Sequence, residues 1–371
     1  MQSPRTALAS LAGLTLLLTG CAAAVPVATP APASAMSQPT ATRWPVKTAE
    51  HIDLWLHAFA LLSNDSAAVP LYRLGYRDSL TVIKNRANIL TSLDANRVAL
   101  ATGLLASPGY LQAQFLPLDV ANWDVLRAFA ERFLQYEGEA RRASDKETAA
   151  RLTQFAAIFP NAADREWLRL FLSGVTDEHL RFFADEHSRA VRSRAAVITA
   201  VDSLWQRVYR TKFDRFLTNT GQRTGDIVLS LPVGGEGRTG VGRSGQTVVV
   251  VPFPSRVEDA NHVLFVFAHE VTGALVGTVV ADNSTPAEQR AGVATRLVSA
   301  GQVRAGAMLL ERLAPELLDP YMRYYLMQGG ARIDATASAT VLSTAFVRRF
   351  VLPDTIRDAL VRQIEIVLGG I

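Results

Sequence analysis

Residues 261–281 read NHVLFVFAHEVTGALVGTVVA, a nearly unbroken apolar run with His269 and Glu270 side by side at its middle. Such a run has to be covered on all sides, so the chain must fold around it. Val263, Phe267, Glu270, Ala274 and Gly277 recur at helical spacing, and residues 257–281 are expected to form one buried helix. The nineteen residues 263–281 also have the length of a bilayer span. Against a span, an ionisable pair at its centre is costly and no basic cluster flanks either end. The β-branched residues leave 275–280 open as a strand. A buried imidazole and carboxylate need partners or a task, which makes the pair the first candidate for chemistry.

The surrounding composition supports a folded chain. Of 371 residues, 49% are hydrophobic and 19% charged, so there is ample material for a core. The 38 basic and 34 acidic residues are interspersed and leave a net charge of +4, which gives no broad cationic surface for nucleic acid. Cys21 is the only cysteine, which excludes an intramolecular disulfide and a cysteine-ligated metal site.

The N-terminus reads as an address. Arg5 precedes an apolar run over residues 7–18, which ends in Leu18-Thr19-Gly20-Cys21. This ending resembles the lipobox of bacterial lipoproteins. The resemblance implies a signal peptide over 1–20, lipidation of Cys21, and a membrane partner held through that lipid. The protein would then face the periplasm, and Ala22 after the cysteine implies the outer membrane. An ordinary signal peptide with a chance cysteine is the alternative. Residues 22–42 are Ala, Pro, Ser and Thr without charge, so 21–43 is expected to be an extended tether.

Residues 44–222 read as a helical region. Residues 50–62 place Ile52, Leu54, Trp55, Ala58, Phe59 and Leu62 on one apolar face. His51 and His57, six apart, lie on different faces and read as ordinary hydrogen-bonded or surface histidines. Further helices are expected near 93–105, 120–136 and 145–158, the last opened by a Ser144/Glu147 capping box. Asn161 or Asp164 is expected to cap another, and Gly174 to break it. From residue 177 to 219 no Gly or Pro intervenes, which predicts one very long helix or two abutting ones. The tripeptide Asp-Glu-His occurs there twice, at 177–179 and 185–187, and reads as surface or helix-terminal charge.

Residues 223–371 change character. Residues 227–231 and 246–253 read as strands joined by a glycine-rich connection with Arg238 and Arg243, which predicts a long hairpin or a small sheet. The glycines lack the Gly-Lys-Ser/Thr ending of a phosphate loop. Pro252 and Pro254 predict an edge strand or its end. Helices are expected over 286–300, 302–314, 320–327, 335–350 and 353–368. The fold class is therefore mainly α with a small β-sheet, α+β, with the two regions packed together.

A strand pair followed by a buried helix carrying His-Glu is similar to the active-site region of zincin metallopeptidases, in particular the gluzincins. Their HExxH motif supplies two zinc ligands and a general base. The resemblance implies His269 as a zinc ligand, Glu270 as the general base, and a glutamate from a following helix as a further ligand. Glu311 is the first choice among Glu288, Glu311 and Glu316. The second histidine of the motif is replaced by Gly273, and His262 lies two turns from His269, about 10 Å away and too far to share an ion. The resemblance thus implies a degenerate, non-catalytic domain with a binding or envelope-assembly role. The partner would be an envelope protein or an extended peptide added along the strand at 248–253. The alternative is an active metal-dependent peptidase.

Overall fold

Residues 227–229 and 248–251 are short apolar runs, mostly β-branched and buried on both sides, as expected for strands covered on two faces. A computed structural model describes residues 44–63 and 69–369. Cys21 and the tether lie outside the described residues. Four strands form one sheet: β1 (Val46–Thr48), β2 (Gly225–Ser230), β3 (Arg238–Val241) and β4 (Thr247–Pro252), in the order β1-β2-β4-β3. The remaining elements are helices, and the fold is mainly α with a small mixed sheet.

Alternation along β2 and β4 sorts the core into two layers. Ile227, Leu229, Val249 and Val251 join Trp44, Trp205, Phe213 and the 261–280 region on one face. Val228, Val248 and Val250 join Trp55, Phe59, Phe171 and the early helices on the other. The described residues form one compact unit. The composition change near residue 222 is therefore not a physical seam: β1 comes from the helical region and pairs with β2 in parallel, Val46 opposite Ile227.

The pairing differs from the expected hairpin. β2 and β4 are parallel, and the hairpin is made by β3 and β4 through a turn at Gly245, whose φ is +77°. β3 was hidden within the glycine-rich connection. Glycine is required there by close approach: a Cβ on Gly237 would sit 2.5 Å from the Val250 carbonyl oxygen and 2.7 Å from Glu270 Cγ. β4 consequently lies inside the sheet, between β2 and β3, so the expected edge at 248–253 does not exist and strand addition there is closed over residues 247–250.

Two helix expectations also change. Gly174 does not break a helix but lies within Ala162–Glu178, where a Cβ added to it would lie 3.2 Å from Leu93 Cα. The 177–219 stretch is two abutting helical runs that meet at Arg194, one of the two expected arrangements, and it contains two π-helical turns, His179–Phe183 and Trp205–Tyr209. The cap at 145 is Asp145, which accepts from Thr148 N, rather than Ser144.

The apolar run is a 3-10 turn at Val257–Asp259, then helices Asn261–Val271 and Gly273–Asp282. Its span of 257–282 is long and apolar enough to cross a membrane, yet 72% of that window is buried inside the protein. It packs as core. Phe267 is fully buried and meets Trp44, Trp205 and Phe213 edge-on, with ring centroids at 5.2, 4.8 and 5.7 Å. Such contacts add to simple area burial. Phe267→Ala is expected to lower stability by about 3–5 kcal/mol, read as a reduced midpoint in urea denaturation with an unchanged slope.

Candidate functional site

His269 and Glu270 are brought together, and both are buried at 1% and 6% exposure. Glu270 Oε1 accepts from Gly237 N at 3.1 Å and lies 2.9 Å from His269 Nδ1, while Oε2 accepts from Thr239 Oγ1 at 2.8 Å. The His269 ring stacks on Tyr325 at 5.5 Å. Burial pushes the Glu270 carboxyl up, but His269, Arg238 and Thr239 outweigh it and hold it below its ordinary value. The carboxylate is thus fully engaged in fastening the central helix to β3. Glu311 is exposed on the Val293–Leu313 helix and does not meet the buried His269; Glu288 and Glu316 are exposed as well. At Gly273 the nearest neighbour is the Gln302 amide, 2.8 Å from a Cβ added there. Among the described residues no group of three or more His, Cys, Asp or Glu converges as a metal site.

The Asp-Glu-His tripeptides are not merely surface charge. Glu178 is fully buried, with Oε1 2.9 Å from His57 Nε2 and Oε2 accepting from Lys84 Nζ at 2.7 Å and from Thr91 Oγ1. His57 Nδ1 lies 2.9 Å from the Tyr76 hydroxyl, and Lys84 also reaches Asp94 at 2.8 Å. His187, buried, lies 3.3 Å from Asp53 Oδ2, which accepts from Leu231 N. The mixed charges on that helix look uniform in sequence, but one face turns toward the Glu50–Leu62 helix, where every charge has a partner to find. Burial pushes Glu178 up, but His57 and Lys84 overcome it and hold the carboxyl at about 2.

The open concavity lies elsewhere. A cleft of about 540 Å³ opens beyond the carboxyl ends of the parallel strands β2 and β4, within the range of small-molecule sites. Ligands of open α/β sheets favour that end of the strands. Val233 and Gly234 continue from β2, and Pro252, Pro254 and Ser255 from β4. The central helix contributes Asn261, His262 and Phe265 through its first turns, and the Leu318–Gln328 helix contributes Arg323, Tyr324 and Met327. Arg73 and Leu74 close the opposite side.

Each wall is fixed by polar contacts. The Tyr324 hydroxyl donates to Gly234 O at 3.2 Å, and its ring lies 4.7 Å from the His262 ring. Arg73 Nη2 donates to Phe253 O at 2.7 Å, and Arg73 N to Pro232 O at 2.8 Å. Gly234 is needed here, because a Cβ would lie 2.9 Å from the Tyr72 carbonyl. Arg323 donates to the carbonyls of Asp334 and Ala337. Burial, reinforced by Arg256 and Arg73, pushes His262 down against Asp259, which favours its neutral form at pH 7. The cleft can therefore offer hydrogen-bond donors, an aromatic face and apolar walls to one bound molecule.

Sequence reasoning missed Arg73, Arg323 and Tyr324. No local motif marks them, and Arg73 meets its partner Phe253 across 180 residues. No protein-family model, curated protein sequence or solved structure matches this chain.

The folded pKa of Glu178 lies below its ordinary 4.5, so its contribution is complete above pH 4.5 and is lost as pH falls toward 2. That contribution is about 3 kcal/mol. Urea midpoints measured from pH 6 to pH 2 are expected to fall for the native chain. Glu178→Gln is expected to be less stable at pH 7, because Lys84 loses a buried partner, and to show a flatter acid limb.

Proposed function

We propose that the protein is a lipid-anchored, periplasm-facing binding protein that holds a small ligand in the cleft at the carboxyl ends of β2 and β4. The observation that carries this reading is the cleft: about 540 Å³, built from four separate chain segments fixed by polar contacts. The anchor is supported by Arg5, the apolar run and Leu18-Thr19-Gly20-Cys21. A binding role without catalysis is supported by the engagement of Glu270 with β3 and the exposure of Glu311. An envelope-assembly role would use the same tether to present the cleft near the membrane.

Met327 lines the cleft and is 63% exposed, so a larger side chain there fills the opening with little strain on the core. Native mass spectrometry of the full-length protein purified from its own envelope is expected to show a non-covalent adduct that Met327→Trp lacks. Identical spectra would overturn the reading of the cleft. Intact mass spectrometry of the mature protein is expected to show residues 1–20 removed and an acylated Cys21 at its N-terminus, and a mature chain with an unmodified cysteine would overturn the anchor.

A further inference from the structure

The charge at one end of the cleft is unbalanced. Arg73 and Arg194 both donate to the same acceptor, Phe253 O, at 2.7 and 2.8 Å. Their guanidinium groups are therefore close neighbours, and Arg73 adds to the burial that pushes Arg194 down. Glu258 and Asp259 also line the cleft, Asp259 paired with Arg256, but no carboxylate among the described residues lies within ion-pair distance of Arg73 or Arg194. The nearest fields come from Asp53 and Glu186. Asp53 Oδ2 accepts from Leu231 N and faces His187, Asp53 Oδ1 is buried without a hydrogen-bond partner and does not reach either arginine, and Glu186 is ion-paired with Arg189. Two half-buried like charges disfavour each other, and one guanidinium would have satisfied the Phe253 carbonyl.

Apolar side chains line the same cleft. Leu74, next to Arg73 in the chain, and Met327 line it at 69% and 63% exposure, and Phe265 lines it from the central helix. Exposed large apolar side chains grouped at the mouth of a cavity mark a contact surface. The arginine and these apolar side chains together define the occupant by its chemistry.

We infer that the ligand of this cleft is an amphipathic anion, with one carboxylate or phosphate head against Arg73 and an apolar chain lying between Leu74, Phe265 and Met327. This rests on the binding role proposed above and names the ligand class. The head completes the charge that Arg73 and Arg194 leave open, since a guanidinium binds either acid through paired N–H donors. Arg194 does not line the cleft; it is a positioning residue that acts through the shared Phe253 carbonyl.

The test is calorimetric titration of the full chain with dodecanoate, dodecyl phosphate, dodecanol and acetate, each below its micelle-forming concentration. Dodecanoate or dodecyl phosphate is expected to bind, and which of the two binds tighter identifies the head. Dodecanol and acetate are expected to bind at least tenfold more weakly, the first lacking the charge and the second the chain. Arg73→Gln is expected to weaken binding of the acid about tenfold or more and to leave dodecanol unchanged. Because Arg73 also holds Phe253, Leu74→Glu supplies a variant at an exposed position; it is expected to weaken the acids without lowering the urea midpoint. Dodecanol binding as tightly as the acids, in a manner that Met327→Trp abolishes, would overturn the anionic head while leaving the cleft as the binding site. Binding of no probe would overturn the inference, and the native adduct would then decide the broader reading by itself.

Discussion

The Glu270 carboxylate is the fastening on which this fold depends. It sits at the middle of an apolar helix, where an unpaired charge would be prohibitive. Three groups reach it: the Gly237 amide, the Thr239 hydroxyl and the neighbouring imidazole. Two of them belong to the start of β3, so the helix and the sheet are tied by charge-assisted bonds and not by packing alone. The tie dictates sequence on both sides. Gly237 must lack a Cβ to let the carboxylate in, and Gly306 must lack one to let the Val293–Leu313 helix pass Tyr321 and the His269 backbone. His269 completes the arrangement by stacking on Tyr325, which fixes the Leu318–Gln328 helix. The same two helices carry His262, Phe265, Tyr324 and Met327, so the clamp sets the spacing of the cleft walls two turns away.

The sheet gives the clamp something rigid to hold. β2 and β4 are buried throughout and packed on both faces, so neither face can shift without disturbing a core layer. Trp44 shows how far the two regions depend on each other. Its carbonyl accepts from Trp205 Nε1 and Gln206 Nε2, its ring meets Phe267, and Gly225 leaves the space it occupies. A residue at the start of the described chain thereby anchors the helix at 195–219, the first residue of β2 and the central helix.

The fold was legible where one pattern had one meaning. The apolar run of 261–281 had to be core or membrane, and burial on every side made it core. Ile227–Leu231 had to be a strand. What escaped were features whose meaning depends on distant partners. β1 is three residues long and gains its identity only from β2, some 180 residues later. β3 was concealed because Gly237 and Gly240, which read as loop, are there for close approach to Val250, Glu270 and Leu118. Parallel pairing of β2 and β4 has no local signature, because turn residues between two strands suit a hairpin equally well. For the candidate site, His269 and Glu270 stood out by their burial, but residue type alone could not separate a fastening from a ligand set. Glu178 and His187 looked like the solvated charges around them until their helix face was known.

The way this protein treats its buried charges separates structure from site. Glu178 gathers His57, Lys84 and Thr91 around it, and the excess of Lys84 is taken up by Asp94. Glu270 gathers an amide, a hydroxyl and an imidazole. In both places donors and acceptors are matched, as stability requires. Arg73 and Arg194 break that pattern: two cations converge on one neutral carbonyl with no carboxylate in contact among the described residues. The means to neutralise them is near, since Asp53 is close enough to influence both and its Oδ1 is buried without a hydrogen-bond partner. Asp53 is instead held toward Leu231 and His187. The uncompensated pair lies where the cleft meets the end of β4, and local departures from matched interactions of this kind concentrate at sites of function.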